Sequence, residues 1–276
     1  MQVGDIQILP VHDGTFHVKA TDAYRMGQPG VPANGRGDRE DDWAPHRGLL
    51  DDEGMLEIAL GAFLIRAADR VVLVDTGLGS VTAPIAGAEM TGGRLLESLA
   101  GCGVTPADVT DVVFTHLHFD HVGWATRHGE VVFPSATYRC DQRDWDHFVT
   151  DDPAGGGARK LRPIADRLRT WDCDGTILPG LDAMVAPGHT PGSTIVVVSD
   201  GSARALLLGD VVHCPVELVD DEWAGMGDVD PDLAKRTRVA LAKEIEGKDL
   251  PVAAAHFAGL RFGRLLSGEG RRRWVV

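Results

Sequence analysis

Apolar and polar residues alternate along two separate groups of segments, as in half-buried strands. Ile6 and Ile8 begin such a pattern, Asp13-Gly14 predicts a turn, and Phe16 resumes the pattern beyond it. Apolar runs predict further strands at 55–67, 71–75, 112–115 and 131–138, and then at 184–187, 194–199, 205–208 and 252–255.

Helical sequence follows each group of strands. A short helix is predicted from Leu95 to the glycines at 101 and 103, and polar helical stretches continue to about residue 168. Asp230 is an N-cap candidate with Pro231 at the first helical position, which predicts a helix over 231–246. This order predicts an α+β fold with two similar layers of sheet and helices outside them. No linker divides the chain, so residues 1–276 are interpreted as one domain.

Residues 26–54 break the pattern with Gly, Pro, Asp and Arg around a single aromatic residue, Trp43. Long irregular segments inside a domain are commonly functional or disordered. Two interpretations stay open: a lid over the functional site with Trp43 as an apolar wall, and an arm that is exposed or contacts a second copy in a homodimer.

Charge and composition narrow the partners to small molecules. The formal net charge is −14, which opposes binding to nucleic acid and to anionic membranes. The one basic run, Arg271-Arg272-Arg273, is interpreted as a solvated tail. The absence of an apolar secretory segment at the start and four scattered cysteines without a CxxC pair favour free thiols in the cytoplasm.

The segment 115–121 (Thr-His-Leu-His-Phe-Asp-His) concentrates four potential metal ligands: His116, His118, Asp120 and His121. In extended backbone His116 and His118 project to the same side, and Asp120 and His121 can turn towards a second point. Imidazole and carboxylate ligands suit zinc, with iron, manganese or cobalt as alternatives.

This segment resembles the His-x-His-x-Asp-His signature of the metallo-β-lactamase-fold superfamily. Four further stretches resemble its other landmarks in the same order: Asp75-Thr76-Gly77, Gly188-His189-Thr190-Pro191-Gly192, Gly209-Asp210 and Ala255-His256-Phe257. The stretches after His121, Asp210 and His256 look most like the methyl-parathion-hydrolase-like and lactonase-like branch. The resemblance implies a four-layer αββα sandwich of two mixed sheets.

The resemblance also implies two divalent metal ions per chain, with zinc the first choice. It assigns one metal to His116, His118 and His189, the other to Asp120, His121 and His256, and a bridging role to Asp210. A hydroxide between the metals would be the nucleophile, with Asp120 orienting it or carrying a proton to the leaving group. Asp75 would fix a ligand histidine.

Four side chains are candidates for the substrate pocket because each lies beside a ligand or in the irregular segment: Phe119, His213, Trp223 and Trp43. His213 could line the pocket or pack beneath it. Aromatic residues are more often core than pocket.

The resembling branch predicts a hydrolase for an ester, a lactone or a phosphotriester. Related acyl-homoserine lactonases use a tyrosine near the metals, whereas Tyr24 and Tyr138 lie in no matching motif. An iron-dependent sulfur-oxidising relative and a non-catalytic metal-binding module remain alternatives.

Overall fold

Two β-sheets form the centre of the protein, which is represented by a computed structural model describing residues 1–25, 36–85, 87–268 and 270–276. The described strands are β1 (Gln2–Val3), β2 (Ile6–Lys19), β3 (Met55–Ala67), β4 (Arg70–Val74), β5 (Thr82–Ile85), β6 (Ala88–Thr91), β7 (Asp111–Val113), β8 (Thr126–Arg127), β9 (Glu130–Val131), β10 (Thr137–Asp141), β11 (Leu168–Trp171), β12 (Gly175–Leu178), β13 (Leu181–Val185), β14 (Thr194–Asp200), β15 (Ala203–Leu207), β16 (Val252–Ala253), β17 (Arg264–Ser267) and β18 (Arg272–Val275).

The larger sheet has the strand order β11-β10-β7-β4-β3-β2-β6-β5, with β1 paired to β2, and the smaller has the order β12-β13-β14-β15-β16. Strands β4, β7, β10 and β11 run parallel, as do β15 and β16, and the remaining pairs are antiparallel.

Helices are short except for the last one. The α-helices are α1 (Ala20–Ala23), α2 (Glu40–Trp43), α3 (Leu95–Gly101), α4 (Gln142–Trp145), α5 (Gly156–Leu161), α6 (Val216–Val219) and α7 (Pro231–Ile245). Short 3-10 helices lie at Ala44–Leu49, Pro106–Asp108, Arg162–Arg167 and Ala258–Leu260, and a π-helical turn lies at Asp146–Thr150. The Asp230 side chain accepts a hydrogen bond from Leu233 N at 3.0 Å, which confirms the predicted cap of α7.

Three of the apolar clusters in the core establish the four-layer arrangement. Between the sheets, Ile65 and Val72 of the larger sheet share a buried cluster with Val196 of the smaller one. On the outer face of the larger sheet, Leu64 lies in the cluster that contains Leu99 of α3. On the outer face of the smaller sheet, residues of β14 and β15 cluster with α7. The predicted αββα sandwich is confirmed.

Three local predictions differ from the structure. The turn at Asp13-Gly14 is instead a bulge within the continuous strand β2, where the register to β3 shifts between His12 and Gly14. The single strand over 131–138 is two separate strands, β9 and β10. Of the irregular segment 26–54, residues 26–35 lie outside the described residues, and the remainder contains α2 and a 3-10 turn.

The cysteines agree with the expectation of free thiols. All four cysteines are free thiols: Cys102, Cys140, Cys173 and Cys214. Among the described residues, no helix is long and apolar enough to cross a membrane.

The bulge in β2 places a buried carboxylate where four chain segments meet. Asp13 Oδ1 accepts hydrogen bonds from Gly93 N and Leu95 N at 2.9 Å and from Trp124 Nε1 at 2.8 Å. Its Oδ2 accepts from Gly79 N at 2.9 Å. Charge-assisted bonds of this kind are stronger than neutral ones, so Asp13 anchors the beginning of α3 and the loop after β4.

Asp13→Asn should therefore lower the free energy of unfolding by about 2–4 kcal/mol, because the amide nitrogen would face an N–H group and leave a buried donor unpaired. Urea denaturation measures this loss. Asp108→Asn is the matched control, since Asp108 accepts from Thr105 N in an exposed capping box. A loss in the control as large as that in Asp13→Asn would contradict the anchoring role.

Candidate metal centre

The candidate ligands lie on loops that leave the carboxyl ends of strands. Strands β4 and β7 are parallel neighbours, so the loop with Asp75 and the loop with His116 begin at the same edge of the larger sheet. In the smaller sheet, β13, β15 and β16 run in one direction, so the loops with His189, Asp210 and His256 also share an edge. The sandwich brings these two edges together.

One group of ligand atoms comes from His116, His118, His189 and Asp210. His118 Nδ1 lies 3.1 Å from His116 Nε2 and 2.9 Å from His189 Nε2. Asp210 Oδ2 lies 3.7 Å from His116 Nε2 and 3.6 Å from His189 Nε2. One atom from each side chain lies within 4.8 Å of those of the other three.

A second group comes from Asp120, His121 and His256. His256 Nε2 lies 3.5 Å from Asp120 Oδ2 and 3.0 Å from Asp210 Oδ2. His121 Nε2 lies 3.1 Å from Asp210 Oδ1. Asp210 therefore contacts both groups, and the structure brings all seven sequence-predicted ligands together.

Two buried polar atoms at the junction of the groups suit a bound cation. Within the described part of the chain, neither His121 Nε2 nor Asp210 Oδ1 has a hydrogen-bond partner, although the two atoms face each other. Buried polar atoms are nearly always paired, so such a coincidence calls for a bound ion or water. A set of imidazole and carboxylate donors suits zinc and other first-row divalent metals.

The electrostatics of the centre also favour a cation. Burial lowers the pKa of His118 to about 3, with His189 adding to the effect, so its imidazole is neutral. Burial alone would lower the pKa of His256, but Asp210 outweighs it and raises that pKa to about 9. Burial likewise opposes ionisation of Asp210, yet His121 and His256 hold its pKa well below the usual range. A bound metal would replace the protons that balance this carboxylate.

Backbone and carboxylate acceptors fix the orientation of the histidine rings. Asp75 Oδ2 lies 2.9 Å from His121 Nδ1, and its two oxygens also accept from Thr115 N and Thr115 Oγ1 at 2.8 Å. Asp75 has φ 64°, an uncommon left-handed conformation that turns its side chain back into the site. His256 Nδ1 bonds the Ala59 carbonyl at 2.8 Å.

The family model described as the metallo-beta-lactamase superfamily matches residues 62–256 of this chain. The chain belongs to the metallo-beta-lactamase superfamily. This membership confirms the predicted family and, with it, a hydrolase of that superfamily.

Relatives of this superfamily member include lactonases, in agreement with the predicted lactonase-like branch. Metallo-beta-lactamase domain-containing protein 1 of Xenopus laevis is 28% identical over 214 residues, which cover 76% of this chain and 81% of that protein. N-acyl homoserine lactonase AttM of Azorhizobium caulinodans is 35% identical over 121 residues, which cover 38% of this chain and 42% of that protein. The solved structure of AidC, a dizinc quorum-quenching lactonase with a bound product, has a TM-score of 0.79 at 23% identity and covers 100% of this chain and 95% of that one.

Two buried carboxylates that support the metallo-beta-lactamase site were not predicted from the sequence. Asp228 Oδ1 lies 3.2 Å from His189 Nδ1, and the buried Arg238 donates to both Asp228 oxygens at 3.3 and 2.9 Å. In the sequence, Asp228 is an acidic residue just before the cap of α7, and acidic residues in such loops commonly have no supporting role.

Asp144 is the other carboxylate, at the beginning of α4. It accepts hydrogen bonds from Leu117 N at 2.9 Å, from Gly192 N at 2.6 Å and from Thr190 Oγ1 at 3.0 Å. These donors lie between His116 and His118 and just after His189. Asp144 therefore holds together the two loops that supply the first ligand group.

A cavity of about 610 Å³ opens beside His213 and His256. His213 lines it, Nε2 lies 3.3 Å from Asp210 Oδ2, and the backbone N–H donates to Glu217 Oε2 at 3.2 Å. Tyr24 donates to the other oxygen of Glu217 at 2.7 Å. The structure places His213 in the lining of the cavity, and its ring also belongs to a third set of possible ligand atoms, with Asp210 and His256.

The other predicted pocket residues are placed differently. Among the described residues that line the cavity, neither Trp43 nor Trp223 appears: both are buried, and their rings pack edge to face with centroids 4.7 Å apart. The two rings are buried against each other in the core and do not contact the cavity, because burial of large apolar surfaces stabilises the fold. The predictions that Trp43 and Trp223 line the substrate pocket are therefore wrong. Phe119 lies outside the lining as well and is 56% exposed. Residues 45, 46 and 48–51 supply one wall of the cavity, while movement of this segment as a lid stays a prediction.

Burial raises the pKa of the Asp144 carboxyl to about 6, although its three hydrogen-bond donors act to lower it. This shift leads to a prediction about the pH dependence of stability. A pKa raised on folding means that ionisation opposes folding. The stability advantage of wild type over Asp144→Asn should be greatest below about pH 4 and fall by about 3 kcal/mol once the pH exceeds about 6.

Urea unfolding of both proteins between about pH 4 and 7, with chelator present, measures this difference. Histidine titrations cancel because the two chains share them. Stability curves that stay parallel over this window would show that the Asp144 pKa is not raised.

Asp228→Asn should weaken metal binding by about 10–100-fold, because the neutral amide no longer polarises the His189 ring and leaves Arg238 without its charge partner. Competition with a chromophoric chelator measures the affinity. Asp230→Asn is a control two residues away, since Asp230 caps α7 and contacts no ligand ring among the described residues. Equal affinities for the wild type and Asp228→Asn would rule out the supporting role.

Proposed function

We propose that this protein is a hydrolase with two divalent metal ions, zinc being the first choice, that cleaves an ester, a lactone or a phosphotriester. The observation that carries the proposal is the position of Asp210 between two groups of ligand atoms, with one of its buried oxygens and His121 Nε2 left unpaired within the described residues. A single ion would use only one of these groups.

The residues that would hold the metals divide as the contacts do. His116, His118 and His189 would bind one ion and Asp120, His121 and His256 the other, with Asp210 shared. When bound, such ions supply Lewis acidity towards the scissile group and lower the pKa of a bound water to about 7.

The chain's own residues would position the reactants and move a proton. Asp120 is nearly buried at the edge of the second group, where its carboxylate can orient a water or carry a proton to a leaving group. His213 faces the cavity next to Asp210, so its ring can donate a hydrogen bond to a substrate oxygen. Tyr24 is half-buried and does not line the cavity, and its hydroxyl donates to Glu217 Oε1, so this hydroxyl is not placed to do the same.

The relatives support the metals and the class of bond. AidC is a dizinc quorum-quenching lactonase, and AttM is an N-acyl homoserine lactonase. A lactone is a cyclic ester, and attack on its carbonyl needs the same polarisation as attack on an open ester.

Asp210→Ala should reduce the metal content from about two ions per chain to about one or fewer, because it removes the carboxylate that lies beside histidines of both groups. Activity towards lactones, aryl esters or phosphotriesters should fall by more than about 100-fold. Elemental analysis of the purified protein and assays on a panel of these substrates provide the measurements.

Asp166→Ala serves as the control, since this exposed aspartate lies outside both ligand groups. Two metals per chain with unchanged activity in Asp210→Ala would contradict the dinuclear proposal. A wild-type protein that contains one iron and oxidises sulfur compounds, or that binds metal and hydrolyses none of the panel, would point to the alternative functions.

A further inference from the structure

The arginine run near the end of the chain borders the cavity of the metal centre. Arg271, Arg272 and Arg273 all line it, together with Arg261. The interpretation of this run as a solvated tail is therefore wrong, because β18 pairs with β17 and the hairpin closes one side of the cavity. The chain as a whole has 41 acidic residues against 27 lysines and arginines, whereas the lining has four arginines and two acidic side chains.

Arg272 has a structural role, whereas Arg271 and Arg273 remain available to bind a ligand. Its guanidinium pairs with Asp221 and with Glu246, the latter at 2.8 Å, and it also donates to the Leu218 carbonyl. These contacts fasten the hairpin to α6 and to the end of α7. Within the described part of the chain, no carboxylate lies in ion-pair distance of Arg271 or Arg273, and both are exposed towards solvent.

The two carboxylates of the lining are engaged by backbone donors. Asp51 Oδ1 accepts from Glu53 N and Met55 N at 2.9 and 2.8 Å. Glu57 Oε1 accepts from Gly259 N at 2.9 Å. Both acids thereby stabilise the loops that carry them, and the guanidinium groups keep their capacity to bind an external anion.

The walls of the cavity suit the body of an organic molecule. Leu49, Leu50 and Leu56 line it from the N-terminal half of the chain, and Phe257 and Trp274 from the C-terminal part. A volume of about 610 Å³ holds a small organic substrate. The lining thus combines the metal-centre residues His213 and His256 with apolar walls and cationic side chains.

We propose that the cavity selects substrates that carry, besides the bond to be cleaved, a second and anionic group, which Arg271 and Arg273 bind with help from Arg261. This inference rests on the proposed function and specifies its substrate class. A carboxylate is the simplest such group, because the planar fork of a guanidinium matches its two oxygens. The bond cleaved at the metal centre would then belong to an acyl chain with a charged end.

A matched pair of esters tests the preference on the zinc-loaded enzyme. Para-nitrophenyl hydrogen glutarate carries a free carboxylate, and para-nitrophenyl methyl glutarate has the same chain with that carboxylate capped. We expect wild type to favour the anionic ester in kcat/KM by about tenfold, and the double variant Arg271→Gln, Arg273→Gln to lose most of that preference. Arg204→Gln is the control, since Arg204 is an exposed arginine of β15 that does not line the cavity.

Binding of the products separates this proposal from the proposed function. Isothermal titration calorimetry of the zinc-loaded enzyme with glutarate and with monomethyl glutarate measures their affinities without turnover. The two compounds differ, as the two esters do, in whether the second carboxylate is free or methylated. A preference for glutarate that disappears in the double variant and persists in Arg204→Gln supports the arginine site, even where neither ester is hydrolysed. Equal affinities for both compounds, or a preference that survives in the double variant, overturn it.

Discussion

Asp210 is the group around which the rest of the site is arranged. It is 4% exposed, and its two oxygens face nitrogen atoms of five histidines: His116, His121, His189, His213 and His256. A carboxylate buried to this degree costs free energy unless positive charge lies beside it. The loops that surround it come from both sheets, so satisfying this one charge requires the two edges of the sandwich to meet.

The histidines around Asp210 are in turn held from outside. Asp75 and Asp228 accept from the far nitrogens of His121 and His189, while Asp144 fastens the backbone of the loops that carry His118 and His189. His121, His189 and His256 therefore each present one nitrogen to the centre and give the other to an acceptor of the protein. Such support limits the rotation of the rings and keeps the ligand atoms close together before any metal binds.

Much of the centre could be predicted because its ligands stand in short motifs. The group from His116 to His121 lies within six positions, and His189, Asp210 and His256 each lie next to a glycine or an alanine at a strand end. Asp228 and Asp144 could not be predicted in this way, since their partners are far along the chain and only packing brings them close. The order of strand-like and helical segments predicts two layers of sheet with helices outside, whereas the four-layer αββα sandwich is what the family resemblance implies.

The errors have a common physical origin. Trp43 and Trp223 were assigned to the pocket from their neighbours in sequence, but local context does not distinguish a wetted aromatic wall from a buried one. Arg271 to Arg273 looked like a solvated end because the pairing of β17 with β18 is not visible in a run of charges. Asp13-Gly14 reads as a turn, yet the strand continues through it because four donors from elsewhere converge on Asp13.

The bond from His256 to the Ala59 carbonyl joins residues 197 positions apart, and it has a consequence for biosynthesis. A ribosome releases the chain from the amino end, so the larger sheet and the segment from His116 to His121 emerge well before His256. Until that residue leaves the exit tunnel, the nascent chain can present only part of its ligand set. The order of synthesis therefore delays the closed site until the smaller sheet has received β16, and a chain that stalls earlier would carry exposed histidines with the Asp210 charge still unbalanced.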